Sequence, residues 1–360
     1  MRPELDAEQA RLADEVDRVL DSAPPGTAPL DLFALLGAER LLAVHYPVEF
    51  GGRGLSLAHH VAAAERMGAR GLPDVVHIVT VQALGGALLA FGSAEQQARW
   101  LPPIAAGRLF GSLLLSEPEA GSDAAAIRAT ANPDGEGWRI TGVKTWSVAT
   151  DRSGVALCSA RTRAGLNRYD GISLFLLDLA DPAIRMTPLP RALGDPYFEV
   201  TVDGAYVGPE SLVGPLHRGW SLLPSTISFE RAGFECLSRA ASWLAAAEEE
   251  FRRLPSEERA AGAGDLVRLR ARLAGARALA FHTMHTADDL DVDEVLIAFS
   301  KLACARAGQA VARWAGEELP PTPALRAAVA EAPELTVSGG PQEQQLDLIA
   351  HDFPIGGAVR

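Results

Sequence analysis

Cysteine is scarce, and positive charge is outweighed. The three cysteines among 360 residues, Cys158, Cys236 and Cys304, are odd in number and far apart. That excludes a disulfide framework and leaves them as small buried hydrophobes. Lys plus Arg number 33 against 46 Asp plus Glu, a net charge of -13. Such a balance excludes the broad basic surface that nucleic-acid binding needs, although one local arginine cluster would still serve a phosphorylated ligand. No uncharged apolar run approaches about 18 residues, so no membrane span is expected. Met1-Arg2-Pro3-Glu4-Leu5-Asp6 has no apolar stretch behind it, so no signal peptide is expected and a cytoplasmic location is the default. There is no internal repeat. Gly51-Gly52-Arg53-Gly54 lies outside any strand-turn-helix unit, so it is not a dinucleotide fingerprint.

What is present is a large apolar share, 48%, in a chain long enough for two or three domains. Helical spacing covers Leu5–Leu20, Leu30–Leu36, Ala58–Met67, His77–Ala90 and Glu95–Ala106, with Ser93 as an N-cap candidate. The period then changes to two. Trp138–Val143, Gly171–Leu177 and Phe198–Val207 alternate, Asn132-Pro133-Asp134-Gly135 is a turn and Asp203-Gly204 is a second turn candidate. Helical spacing returns over Gly219–Arg252, Gly264–Thr286, Asp293–Leu319 and Gln342–His351, with Pro320-Pro321-Thr322-Pro323 as an interruption. The order predicts an α+β protein with an N-terminal helical domain (1–110), a central antiparallel β domain (111–214) and a C-terminal helical domain (215–360).

One pair of segments is far more specific than these patterns. Ser116-Glu117-Pro118-Glu119-Ala120-Gly121-Ser122-Asp123 is followed by Gly142-Val143-Lys144-Thr145-Trp146. Together they resemble the paired S/T-E-P-x-A-G-S-D and G-x-K-x-W signature of the acyl-CoA dehydrogenase family. Further segments are similar to that family's: Tyr46 to Gly54, Phe91 to Gln97 with Leu101-Pro102, Val207 to Gly214 with Arg218-Gly219-Trp220, Phe229-Glu230-Arg231, and a degenerate Val337 to Gln345. The resemblance implies a helical domain, a β-barrel and a four-helix bundle. It implies FAD, an acyl-CoA or acyl-carrier thioester as substrate, and a homo- or hetero-oligomer. In the family a carboxylate removes the α-proton of the thioester while the β-hydride passes to the flavin.

The resemblance also implies site residues. The Leu115–Ser116 backbone and the Ser116 hydroxyl would face the flavin pyrimidine edge. Trp146 would shield the ring, with Ser147 and Val148 beside it. The family usually has Trp-x-[ST], and Val148 departs from it. Ser122 would contact the pantetheine or phosphate arm; as plain sequence it is also ordinary turn chemistry. The usual base position is Gly339, whose backbone N–H is left to polarise a carbonyl. The alternative base is Glu230 on the first bundle helix, with Arg231 next to it; outside the resemblance Glu230 reads equally as a surface or Arg-paired carboxylate.

Two anchors of the FAD phosphates are missing: R-x-x-F-G between Phe251 and Asp265, and Q-x-x-G-G-x-G, in whose vicinity Ala315 to Pro321 stands instead. A partner chain could restore them, or Arg268, Arg270, Arg272 and Arg277 could replace them, although the first reading of those arginines is a solvated basic face on an acidic protein. His282 and His285, at i,i+3, lack further ligands, and no metal is expected. The leading expectation is α,β-dehydrogenation of an acyl thioester. A flavin monooxygenase and a flavin-poor subunit are the alternatives.

Overall fold

The computed structural model describes residues 5–190, 196–223, 232–286 and 293–352. Contacts divide the chain into two units. One holds the described parts of Val19–Leu55 and Val75–Ile227 and is built on a sheet; the other holds those of Met1–Arg18, Ser56–Asp74 and Ser228–Arg360 and is helical.

Helix α1 (Ala7–Asp21) carries its apolar face on Leu12, Val16 and Leu20, and α2 (Pro29–Ala38) starts with proline at its first turn. After α3 (Leu57–Ala69), the segment expected as one helix over His77–Ala90 is three pieces. A short α4 (Asp74–His77) leads into a π-helix, Ile78–Leu84, and then α5 (Gly85–Phe91). A π turn widens the helix, and all seven of its residues are buried. Helix α6 (Ala94–Ala105) starts where the sequence placed a cap. Ser93 Oγ accepts from the Gln96 N–H and Gln96 Oε1 accepts from the Ser93 N–H, a complete capping box.

Eight strands follow: β1 (Gly111–Leu114), β2 (Thr130–Asp134), β3 (Gly137–Val148), β4 (Val155–Arg161), β5 (Ile172–Asp178), β6 (Ile184–Pro188), β7 (Tyr197–Val207) and β8 (Leu212–Val213). The ladder runs β6-β7-β3-β2-β4-β5-β8, and β1 pairs with β4. The sheet is mixed rather than antiparallel throughout, because β1 lies parallel to β4 and β2 touches β4 in parallel. Strand β4 is buried along both faces through Ala160, so its sequence shows no alternation. The turn expected at Asn132-Pro133-Asp134-Gly135 is tighter: the first three residues belong to β2, and Gly135-Glu136 make the reversal to β3. Asp203-Gly204 is not a turn. The register steps from Ile140↔Ala205 to Thr141↔Asp203, which leaves Gly204 as a bulge at φ +73. That step keeps Phe198, Val200, Val202, Ala205 and Val207 all buried in one core with Ile140, Phe175 and Leu177.

In the helical unit α7 (Phe234–Arg253), α8 (Ser256–His285) and α11 (Gln342–Asp352) pack around α9 (Glu294–Glu318). Phe234 meets Phe281 at 6.2 Å, and Phe251 meets Trp314 at 5.8 Å. Each such buried side chain contributes about 1.5–3 kcal/mol relative to exposure. The expected single helix over Gly219–Arg252 is not continuous, since Gly233 stands at φ +86 directly before α7. A further helix, α10 (Pro323–Glu331), was not anticipated; Thr322 caps it and Pro323 opens it. Asp74–Phe91 and Glu294–Glu318 are long and apolar enough to cross a membrane by length and composition, which corrects the expectation that no segment comes near that limit. The fold buries 67% and 61% of their apolar windows, as core helices do.

Candidate functional site

The two motif segments meet at one place in the sheet unit. Glu117 and Ala120 exchange both backbone hydrogen bonds at 3.0 Å, so Pro118 and Glu119 form a hairpin tip. Behind the tip the Glu117 side chain turns inward and is 6% exposed. Its carboxylate accepts from the Arg128 N–H at 2.6 Å, the Ala129 N–H at 2.9 Å and Lys144 Nζ at 2.8 Å. Lys144, 1% exposed, also donates to the Leu115 carbonyl at 3.4 Å and to Ser159 Oγ at 3.3 Å. All three ammonium donors therefore have acceptors. The motif glycine Gly142 makes this possible: a Cβ there would stand 2.5 Å from the Ala129 Cβ and 2.8 Å from its Cα.

From this buried pair the chain rises to the surface on both sides. The Thr145 N–H donates to the Ser116 carbonyl at 2.9 Å, which fixes the first segment against the second. Neither the Ser116 N–H nor its hydroxyl has a partner among the described residues. Trp146 is 60% exposed and held at φ +59 in a second irregularity of β3 against β7, between Lys144 and Ser147. Ala149 follows at φ +55. Two left-handed non-glycine residues within four positions are the kind of strain that surrounding structure must hold, and such strain gathers at functional sites. Tyr197 meets the Trp146 ring edge-on, 5.8 Å between centroids at 79°. An indole this exposed, next to open hydrogen-bond donors, can cover a flat polar ring.

Of the residues predicted for the flavin, Leu115, Ser116 and Trp146 lie on the two segments that the Thr145–Ser116 hydrogen bond joins. Ser147 points inward, and its hydroxyl donates to the Phe198 carbonyl at 3.2 Å. Val148 is half-buried, and the nearby Thr150 hydroxyl is taken up by Ser112 at 3.1 Å. No hydroxyl from 147 to 150 is thus open to a ligand. Ser122 is exposed beyond the hairpin; its neighbour Asp123 pairs with Arg168 at 2.7 Å. Gly339 lies in the helical unit before α11, at φ +63, with Gly340 at φ +100. Glu230 and Arg231 lie outside the described residues.

Three of the four clustered arginines of α8 are ion-paired: Arg268 with Asp265, Arg270 with Glu248, and Arg277 with Glu65. Arg272 is exposed. Among the described residues no group of three or more His, Cys, Asp or Glu side chains is placed to hold a metal. All three cysteines are buried and free. Burial pushes the Cys158 thiol up to about 11, which suits packing rather than nucleophilic work.

Glu117, Lys144 and Tyr197 were missed by the sequence reading. A signal existed for the first two. Lys144 shares its strand parity with Ile140 and Gly142, so alternation already placed it inward, where an ammonium demands a carboxylate.

Family models describe the same elements. The acyl-CoA dehydrogenase N-terminal domain matches residues 5–108 and the acyl-CoA dehydrogenase middle domain matches 112–200. The chain belongs to the acyl-CoA dehydrogenase family. It is 38% identical over 197 residues to the acyl-CoA dehydrogenase IpdE1 of Mycobacterium tuberculosis, covering 54% of this chain and 51% of that one. It is 27% identical over 350 residues to the (2S)-methylsuccinyl-CoA dehydrogenase of Cereibacter sphaeroides, covering 89% and 63%. The matches thus span about half the length of the first of these relatives. Among solved structures, a glutaryl-coenzyme A dehydrogenase with glutaryl-CoA superposes at TM-score 0.87, with 21% identity over 98% of this chain and 96% of that one. The ChsE4-ChsE5 complex of Mycobacterium tuberculosis gives 0.86, with 21% identity over 99% and 100%. At such identities the likeness shows the fold.

Proposed function

We propose that this family member is an FAD-dependent oxidoreductase that removes the α- and β-hydrogens of an acyl thioester carried on CoA or a carrier protein. The observation that supports it most is the pairing of an exposed, strained Trp146 with the open N–H and hydroxyl of Ser116. These suit the ring end of a flavin: a flat face to cover and acceptor atoms at its edge to bind. Bound FAD supplies the hydride acceptor. The chain supplies placement, exclusion of water and a base. Gly339 has no side chain to act as one, so the role falls to Glu230, which stands immediately before an arginine, Arg231, as the base does in a minority of family members. Arg231 and Ser122 would hold the acyl carrier arm.

The pyrophosphate end of FAD fits this chain less well. Helix α8 opens at Ser256 with Ser-Glu-Glu-Arg and carries no R-x-x-F-G. Three of the four arginines that were candidates to replace it are engaged in ion pairs. A second subunit that donates these anchors is therefore part of the proposal. Two of the structural neighbours carry paired names, the ChsE4-ChsE5 complex and the Tcur3481-Tcur3483 steroid ACAD, which is in keeping with a two-subunit reading.

The test is the visible spectrum of the full chain, purified alone and together with a family member that retains R-x-x-F-G. FAD present in the mixture but not in the lone chain supports the two-subunit reading, and FAD in both supports a self-sufficient enzyme. No FAD in either overturns the flavin reading. In a complex that turns over, Glu230→Gln should lower the rate by about 10²- to 10⁴-fold, the usual contribution of a positioned base. Unchanged turnover would assign the base elsewhere.

A further inference from the structure

We propose that the buried Glu117–Lys144 pair is a positioning device for the candidate flavin site, setting where Ser116 and Trp146 stand while touching no ligand itself; this rests on the flavin reading above. A buried ion pair is a poor way to gain stability, because desolvation offsets most of the attraction, and apolar residues of similar volume usually serve as well. A pair in which all three ammonium donors and both carboxylate oxygens nevertheless have partners calls for another reason.

The geometry supplies one. The pair holds five places in the chain at once: the Leu115 carbonyl, the Glu117 side chain itself, the Arg128–Ala129 amides, Lys144 on β3 and Ser159 on β4. Ser116 sits between two residues that Lys144 grips directly. Trp146 sits two residues beyond Lys144, and the Thr145 N–H between them bonds the Ser116 carbonyl at 2.9 Å. Both walls of the site are thus fixed from behind by one ammonium. Trp146 itself, mostly exposed and at positive φ, has little packing of its own to hold it. An apolar pair would fill the same volume but could not direct the Leu115 carbonyl or gather the two amides of 128 and 129.

The experiment compares the full wild-type chain, Lys144→Met and the double variant Glu117→Gln with Lys144→Met, in whichever subunit composition binds FAD. Three quantities are read: the melting temperature, the FAD dissociation constant by fluorescence titration, and hydrogen exchange of the Thr145 amide. Lys144→Met should melt well below wild type, and the double variant should recover most of that loss. A positioning role predicts that the double variant still binds FAD at least tenfold more weakly and exchanges Thr145 at least tenfold faster. Recovery of all three together would overturn the proposal and leave the pair as ordinary structure.

Should the double variant not fold, Glu117→Asp keeps the charge and withdraws it from the two amides. It should weaken FAD binding at least threefold, and wild-type affinity there would equally overturn the proposal. If wild type binds no FAD in any composition, the flavin reading falls. The pair is then judged on Thr145 exchange in the refolded double variant, where wild-type protection sinks it and lost protection supports it.

Discussion

The two units bury charge in opposite ways. In the sheet, one ammonium and one carboxylate stand at 2.8 Å with every remaining donor and acceptor met by amides, a carbonyl and a hydroxyl. In the helical unit, Arg239 is surrounded by Glu235 at 2.6 Å, Glu334 at 3.5 Å and Glu331 at 3.9 Å, with Asp74 adding to the negative field. One guanidinium there faces an excess of carboxylates, and its Nη1 makes no hydrogen bond. Gln345, fully buried in α11, has no hydrogen-bond partner for either end of its amide among the described residues. A saturated network specifies one arrangement, whereas an unsaturated one only discourages exposure. The saturated network lies behind the motif residues, where placement matters.

That contrast can be broken at several points. The largest effect should come from Lys144→Met, which strands a carboxylate at 6% exposure. A loss of about 3–5 kcal/mol is expected in denaturant unfolding, and a loss below 1 kcal/mol would mean that water reaches Glu117. Arg239→Met removes a cation from its acidic surround, but the carboxylates there are 11–19% exposed and partly screened. A loss of about 2 kcal/mol is expected in denaturant unfolding, and an unchanged midpoint would mean that water already screens these carboxylates.

Acid should strike the sheet unit through a different pair. Burial holds His45 down to about 3 and His77 to about 4, from an ordinary 6.5. Both stay neutral in the fold while the unfolded chain becomes protonated, so their contribution is complete above pH 6.5 and is lost as pH falls toward 4. Each costs about 1.4 kcal/mol per pH unit in that window, or about 2–3 kcal/mol for the two at pH 5.5. Urea midpoints at pH 7.5 and 5.5 measure it. A profile that does not flatten in a His45→Gln, His77→Gln variant would place the acid sensitivity elsewhere. The smallest effect is a gain: Gln345→Leu should raise stability by about 1 kcal/mol, since it removes an amide buried without partners. A loss of that size instead would mean that the amide has an acceptor in the assembled protein.

Much of this was legible from residues alone, and the illegible parts share causes. Helices with one apolar stripe were placed well, as was the Ser93 cap, because their periodicity is local. Strand β4 was not, because it is buried on both faces through Ala160 and its sequence has no alternation to read. Gly204 looked like a turn because a bulge uses the same left-handed glycine that a turn does. At the site, Ser116 and Trp146 were legible as a paired motif. The Glu117–Lys144 pair was only half legible: strand parity turns Lys144 inward, but its partner stands 27 positions away in a turn with no alternation to read. The inward orientation of the Ser147 hydroxyl was invisible for a related reason: it follows from the irregularity at Trp146, which shifts the parity of the strand after it.

The two irregularities of the β3–β7 pair have a consequence for how this wall can change. Each shifts the inside-outside phase by one residue, one on β7 at Gly204 and one on β3 at Trp146. The stretch from Thr141 to Lys144 is therefore clocked from both ends. Removing one residue from either strand between the two points would turn Lys144 outward and Val143 inward, exchanging a charge for a methyl-bearing side chain in the core. Substitutions along this stretch can be made one at a time, but insertions and deletions must come in pairs, so variation in length is confined to the hairpin tips outside it.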